Sequence, residues 1–189
     1  MSGGHGGHVE GGDNKRIALL IAVLALLLAF SEAGGKNAQN DMLSSNIEAS
    51  NLWAFFQAKT VRITTLQTAI EGLELDRAGV EDAARKDVMS KRIDGWKATI
   101  ARYNSEPETN EGRKELAARA KKAEEQRDKS HARDTKFEIA SGVLQVAIVL
   151  ASASIITGIG WLVLLAGGLG VVGCGLMTLA VFAPLALFH

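Results

Sequence analysis

Two long stretches without a charged residue, separated by a strongly charged segment, constrain this chain more than any other feature of its sequence. The stretches cover residues 17–30 and 139–188, whereas nearly all of the charge lies between Lys36 and Lys136. Overall, 21 basic residues balance 21 acidic ones, so the average composition hides this division. The pattern predicts a chain that meets two solvents, a lipid bilayer along the stretches and water along the segment between them.

The first apolar stretch predicts a transmembrane helix over 16–35, preceded by a glycine- and histidine-rich tail at 1–15. The uncharged core has about 14 residues, fewer than the roughly 20 that cross a bilayer, so the helix has to extend beyond it. Glu32 then lies at the membrane interface, four residues before Lys36, which is the spacing of an ion pair on a helix. A cleaved signal peptide is the alternative, because a basic pair precedes a short apolar run.

The second apolar stretch predicts two further transmembrane helices, at 137–157 and 160–183. The uncharged turn between them is short, so the two helices form an antiparallel hairpin. Gln145 is strongly polar, so it either finds a partner inside a helix bundle or lies in lipid at some cost. Small residues recur every four positions in the last helix and allow a neighbouring helix to approach closely, although a glycine-rich helix also shows such a stripe by chance. They are Ala166, Gly170, Cys174 and Thr178.

Three helices are predicted in segment 36–136, as a helical or coiled-coil domain outside the membrane. The first continues from the first membrane helix to about Asp76, with a break near Gly79. The second carries an aromatic-rich stripe that ends at Tyr103. A turn follows around Pro107, because the residue before a proline avoids helical geometry. The third helix runs on into the second membrane helix.

Composition favours an all-α chain and excludes several functions. Two prolines and abundant Ala, Leu, Glu, Lys and Arg are typical of long helices. Balanced charge argues against nucleic acid as a partner, because phosphate binding requires an excess of Lys and Arg on one face. Cys174 is the only cysteine. An intramolecular disulfide and a thiolate metal cluster are therefore excluded.

The charges around the apolar stretches leave open the side of the membrane on which 36–136 lies. Lys15 and Arg16 favour an N-terminus in the cytoplasm and a translocated middle domain. The basic residues before the second membrane helix favour the opposite arrangement.

Aromatic side chains are the candidates for an interaction surface. Trp53, Phe55 and Phe56 form the densest cluster, and Trp96 lies in the next helix. At about 1.5 Å per residue the cluster is roughly 27 Å beyond Gly35 on a continuous helix, too far for a belt at the membrane interface. Three such rings more often form a core or an oligomer interface than a patch for another partner.

Motifs that would indicate an enzyme or a metal site are weak in this sequence. His5 and His8, with Glu10 nearby, are the candidates for binding a divalent metal. The surrounding glycines are costly to order, so we expect a disordered tail and no metal site. The sequence contains no nucleophile–histidine set, phosphate-binding glycine loop or zinc-protease helix. We therefore expect no enzymatic activity, cofactor or small-molecule substrate.

Four runs of the sequence resemble one protein family. They are NKRIALLIAVLA (Asn14 to Ala25), EASNLWAFFQAKTVR (Glu48 to Arg62), ARYNSEPETNEGRKEL (Ala101 to Leu116) and LQVAIVLASASIITG (Leu144 to Gly158). The family is the bacterial domain of unknown function 4337, and the resemblance covers nearly the whole chain except the N-terminal tail and the apolar C-terminus. It implies a bacterial membrane protein and brings no reaction, ligand or catalytic residue.

Together these observations predict a multi-pass protein of the bacterial inner (plasma) membrane. We expect a structural or scaffold role in which the lipid-anchored helical domain forms a homo-oligomer or binds another membrane protein, because strong helical seams occur without catalytic motifs. The alternative is a small channel or transporter subunit formed by oligomerised hairpins. Gln145 and the glycine-rich last helix are the features that favour this alternative.

Overall fold

Every regular element in the computed structural model of the protein, which describes residues 10–186 and the side chains from Asn14 onwards, is a helix. The prediction of an all-α chain is thereby confirmed. The elements are α1 (Glu10–Ala78), α2 (Ala83–Asn104), α3 (Arg113–Thr157) and α4 (Trp161–Phe182).

The breaks between helices lie where turn chemistry predicts them. After α1, the amide of Gly79 donates to the carbonyl of Asp76 at 3.1 Å. Asp82 then begins α2, because its side chain accepts a hydrogen bond of 2.9 Å from the amide of Ala84 and so satisfies a free helix donor. Pro107 lies between α2 and α3, as expected. The continuous α1 also confirms that the helix of the first apolar stretch runs on into the charged segment.

The N-terminal boundary of α1 differs from the prediction. The helix begins at Glu10, inside the segment 1–15 that was expected to be a tail, and the histidines at 5 and 8 lie outside the described residues. Two glycines at 11 and 12 each disfavour a helix by about 1 kcal/mol. Helix propagation from an established apolar run adds one hydrogen bond per residue, and this gain offsets the glycine penalty.

The chain divides into two compact units. The first, here called the apolar unit, comprises Met1–Leu43 with Arg127–His189, and the second, the charged unit, comprises Ser44–Gln126. The charged unit is shorter than the predicted domain at 36–136. The reason is that α1 and α3 remain in contact beyond the apolar stretches, where Arg133 pairs with Asp41 at 3.7 Å.

The apolar unit has a core of small and branched side chains from α1, α3 and α4. Its buried members are Leu24, Leu144, Ala147, Ala151 and Ala166. The turn between α3 and α4 uses Gly158 at φ +71°, a left-handed conformation that favours glycine, and its amide donates to the carbonyl of Ser154 at 2.9 Å. This cap ends α3 and reverses the chain, as the predicted hairpin requires.

The buried face of α4 follows a different line from the predicted small-residue stripe. Ala166 and Gly170 are buried as expected, but Thr178 is exposed, and the face continues through Gly173 and Ala180. Each step of four residues turns the helix by about 40° beyond a full turn, so a strict four-residue stripe rotates off the contact face. The three-residue step from Gly170 to Gly173 corrects this rotation.

Three of the described helices are long and apolar enough to cross a membrane. They are the segments Asn14–Ala78, Arg113–Thr157 and Trp161–Phe182. The predicted membrane helices at 16–35 and 137–157 fall within the first two of these segments, and the one predicted at 160–183 exceeds the third by one residue at each end.

Candidate interaction sites

Lys59 is the most unusual side chain of the charged unit, because it is charged and only 4% exposed. It occupies an inward-facing position between Phe56 and Ile63 in the three-four repeat of α1, so the helix directs it into the core. Its ammonium group lies 5.2 Å from the ring centre of Phe55 and 5.4 Å from that of Tyr103. Contacts of this kind with two ring faces stabilise a desolvated cation.

Glu106 provides the negative charge beside Lys59. One oxygen of its carboxylate is 3.5 Å from the Lys59 ammonium, and the other is 3.9 Å from the guanidinium of Arg102. Glu106 lies in the loop between α2 and α3, whereas Lys59 lies on α1. A buried charge is tolerated when it is paired, so this ion pair connects the loop to α1.

Glu115, in the first turn of α3, also binds this loop. Its carboxylate accepts a hydrogen bond of 2.7 Å from the hydroxyl of Ser105 and one of 3.1 Å from the amide of Glu106. These two donors, with Ser105 the stronger, lower the pKa of Glu115 below its ordinary value because they favour the charged carboxylate. The loop is therefore held by two charged side chains, Lys59 on α1 and Glu115 on α3.

Gly112 permits the close approach of the loop to α3. A Cβ at this position would lie 2.7 Å from the Cα of Ser105 and would also collide with the amide of Glu106 and the carboxylate of Glu115. Backbone atoms cannot move aside as a flexible side chain can. Only glycine fits this position without displacing the loop.

The predicted aromatic cluster lies in the core of the charged unit. Trp53, Phe55 and Phe56 pack against the buried residues Leu52, Leu116 and Ala120. The rings of Trp53 and Phe56 form an edge-to-face pair with centres 5.4 Å apart. The three partly buried rings therefore extend the apolar core of the charged unit.

Two polar contacts complete this aromatic core. The indole nitrogen of Trp53 donates to the carboxylate of Glu124 on α3 at 2.9 Å, and the guanidinium of Arg113 lies 4.8 Å from the centre of the Phe56 ring. Trp96, the other aromatic candidate, is half-buried on α2 with the guanidinium of Arg92 at 5.1 Å from its ring centre. Cation–π contacts and a hydrogen bond therefore engage the rings that the sequence singled out.

Gln145 faces outwards on α3 and does not pack inside the apolar unit. Its neighbour Leu144 is fully buried against Gly173, which lies near the middle of α4. Gln145 is therefore at mid-height of the hairpin, on its outer surface. Cys174 is half-buried, and the hydroxyl of the exposed Thr178 donates to its carbonyl at 2.8 Å.

Two polar residues of the apolar unit have roles that sequence reasoning missed. Lys136 is 2% exposed, and its ammonium donates to the carbonyls of Ala183 and Pro184, next to the C-terminal end of α4. A cation here complements the free carbonyls of the helix end. Ser31 is buried, and its hydroxyl donates to the carbonyl of Phe137 at 2.9 Å. The position of Lys136 as the last basic residue before an apolar stretch was the available signal.

The polar and charged groups described above make contacts within their own unit. Among the side chains described from Asn14 to residue 186, no three of His, Cys, Asp or Glu come together in a group that could hold a metal ion. In the charged unit, the buried lysine and the loop carboxylates contact one another, the rings or the backbone.

The fold and these sites define a class, that of all-helical proteins with three helices long and apolar enough to cross a membrane. The chain belongs to the family described as Domain of unknown function (DUF4337), whose family model matches residues 13–183. The family resemblance drawn from the four sequence runs is thereby confirmed. Comparison with curated proteins gave no match, and comparison with solved structures gave none either.

Proposed function

We propose that this protein is a structural, scaffold-type component of a bacterial inner membrane. In this proposal three apolar helices span the bilayer, and the charged unit binds protein, either a further copy of the chain or another membrane protein. The proposal includes no enzymatic activity, cofactor, nucleic acid or small-molecule substrate. Support for the membrane part of the proposal comes from the three apolar helices.

The observation that carries this proposal is the use of polar groups inside the charged unit. Catalytic lysines and carboxylates are typically perturbed and open to a substrate. Here Lys59 is buried between rings and a counter-charge, and Glu115 accepts hydrogen bonds from the loop. Glu74 on α1 pairs with Lys97 on α2 at 2.9 Å, and this pairing lowers the pKa of Glu74. These lysine and carboxylate side chains, which could act in catalysis, instead connect the helices and the loop.

Exposed apolar side chains of the charged unit provide the surface for protein partners. Ile47, Val61 and Leu75 on α1 and Val88 on α2 are between 60% and 77% exposed. Branched side chains exposed along a helix are typical of surfaces that another protein covers, provided that they form a continuous face.

Cross-linking of the full-length protein in native membranes, followed by affinity capture and mass spectrometry, tests the proposal. We expect reproducible cross-links from residues 44–126 to a second copy or to another membrane protein. The matched control is the same capture after the membranes have been dissolved in strong denaturing detergent before cross-linking. A protein that remains monomeric and captures no partner would contradict the scaffold role.

Gln145 favours a second candidate function, a channel or transporter subunit formed by oligomerised hairpins. A polar amide on the outer surface at mid-height would line a pore if several hairpins assembled around it. The test is solute or ion flux in liposomes that contain the wild type, Gln145→Leu or the neighbouring control Val149→Leu. Flux lost only in Gln145→Leu would support this function, and no flux from a folded, reconstituted wild type would exclude it.

A further inference from the structure

The outer side of α1 in the charged unit carries a second heptad pattern, opposite the face that packs in the core. One series recurs every seven residues and is exposed and uncharged at every position. It consists of Ile47, Ala54, Val61, Thr68 and Leu75. The three large members are 60%, 65% and 77% exposed, so nothing in the charged unit covers them.

A second series alternates with the first at steps of four and three residues. It consists of Asn51, Ala58, Thr65 and Gly72, all of them exposed and uncharged. The two series together form a seam, here called the outer seam, that covers four heptads or about 42 Å of helix. Alternating steps of four and three residues are the spacing of a coiled-coil interface, and at this spacing the outer seam presents no charge and three large apolar side chains.

The threonines of the outer seam do not make it hydrophilic. The hydroxyl of Thr65 donates to the carbonyl of Val61 at 3.0 Å, and that of Thr68 donates to the carbonyl of Thr64 at 3.1 Å. Because the hydroxyls are already satisfied by the helix backbone, covering these side chains leaves no buried donor without a partner. The threonines therefore contribute methyl groups to a packing surface.

Gly72 is unexplained by contacts within the chain. No atom lies within 4 Å of the position that a Cβ would occupy there, although glycine in a helix interior costs about 1 kcal/mol relative to alanine. A glycine is useful where another backbone approaches closely. The outer seam thus has a small residue at the place where a second helix would come nearest.

Asn51 identifies the partner as a second copy of this chain. If Ile47 takes position d of the heptad, Asn51 takes position a, where a single asparagine fixes register in parallel coiled coils. The amide both donates and accepts, so it is complementary to the same amide on another copy. We infer that the outer seam of one chain packs in register against the outer seam of a second chain, as a parallel two-stranded coiled coil.

This inference rests on the proposed membrane-anchored scaffold. Copies inserted into one bilayer in the same sense have parallel α1 helices, and confinement to the bilayer raises their effective concentration. That increase matters because the outer seam contains only three large apolar side chains. The absence of charge along the seam removes repulsion between identical faces.

Disulfide cross-linking of the full-length chain tests the register. In a Cys174→Ser background reconstituted into phosphatidylethanolamine–phosphatidylglycerol liposomes, Val61→Cys is compared with Gln67→Cys. Gln67 is also exposed on α1 but lies about 120° around the helix from Val61. We expect a disulfide-linked dimer for Val61→Cys at a yield about tenfold above that of Gln67→Cys, because only the former faces its counterpart. Equal yields, or no dimer from either variant, would overturn the inference.

A charge introduced into the outer seam tests the same dimer independently. Ala58→Glu places two like charges opposite each other, whereas Gln67→Glu adds the same charge outside the seam. We expect the dimer fraction, measured by single-molecule subunit counting in the same liposomes, to fall about tenfold or more in Ala58→Glu only, since like charges facing across an interface are strongly unfavourable. Helicity of both variants is checked by circular dichroism. An unchanged dimer fraction in Ala58→Glu would overturn the inference, while capture of another membrane protein would still support the scaffold role.

Discussion

Substitution of Glu106 by glutamine should loosen the loop between α2 and α3, because it removes the negative charge beside Lys59. The lysine is 4% exposed, so its ammonium cannot regain water without movement of α1 or the loop. Breaking a buried ion pair by removing one partner costs about 3–5 kcal/mol. Two features reduce that cost here.

The first feature is partial exposure, since the Glu106 side chain is 21% exposed and water already screens part of the attraction. The second is the pair of ring contacts from Phe55 and Tyr103, which remain in the variant and contribute about 0.5–2 kcal/mol each. We therefore expect Glu106→Gln to lower the local stability of the loop by about 1–2 kcal/mol, a factor of roughly 5–30 in the population of its open form.

Hydrogen exchange of the full-length protein in detergent, followed by mass spectrometry, measures this change locally. Peptides that cover residues 105–116 should exchange faster in Glu106→Gln by that factor. The control is Glu108→Gln, which neutralises an exposed carboxylate two residues further along the same loop and should leave the exchange unchanged.

A double-mutant cycle with Lys59→Met decides whether the ion pair is the cause. Methionine retains most of the apolar stem and removes the buried charge, so the double variant should recover most of the protection lost in Glu106→Gln. If the losses of the two single variants simply add, or if Glu106→Gln exchanges like the wild type, the ion pair between Lys59 and Glu106 does not stabilise the loop.

Three further predictions concern single positions. Gly173→Ala should destabilise the hairpin by about 1–3 kcal/mol because the added Cβ would lie 2.9 Å from the Leu144 side chain. Gly175→Ala is the control and should not destabilise it, because nothing lies within 4 Å of the Cβ added there. Thermal unfolding in detergent compares the two variants. Gly112→Ala should displace the loop from α3 and increase hydrogen exchange at 105–112, and wild-type exchange there would contradict the proposed collision. The pKa of Glu115 is lowered in the folded protein, so its stabilising contribution is complete above its ordinary pKa and is lost as pH falls through the lowered value. Exchange at 105–112, corrected for the intrinsic rate, should therefore increase on acidification below about pH 4 in the wild type but not in Glu115→Gln.

Residues close together in the sequence determined where the helices of this protein begin and end. Helical periodicity, turn residues near Gly79 and the proline at 107 predict where α1 ends, where α2 begins and where α2 and α3 separate, and the structure confirms all three. The same holds for the turn at 157–160, where a glycine in a left-handed conformation ends α3. These features were accessible because each depends on residues close together in the chain.

Tertiary structure alone decided which faces of the helices are covered. Lys59 interrupts an apolar repeat in the sequence, and the approach of Glu106 and Tyr103, from another part of the chain, makes a buried lysine tolerable there. The sequence left Gln145 two positions, inside a bundle or facing outwards, and it lies on the outer surface because Leu144, one residue away, takes the position against Gly173. The helical period gives the angular separation of side chains around one helix. Which of these side chains contact a neighbouring helix depends on packing between segments far apart in sequence, and no local pattern determines it.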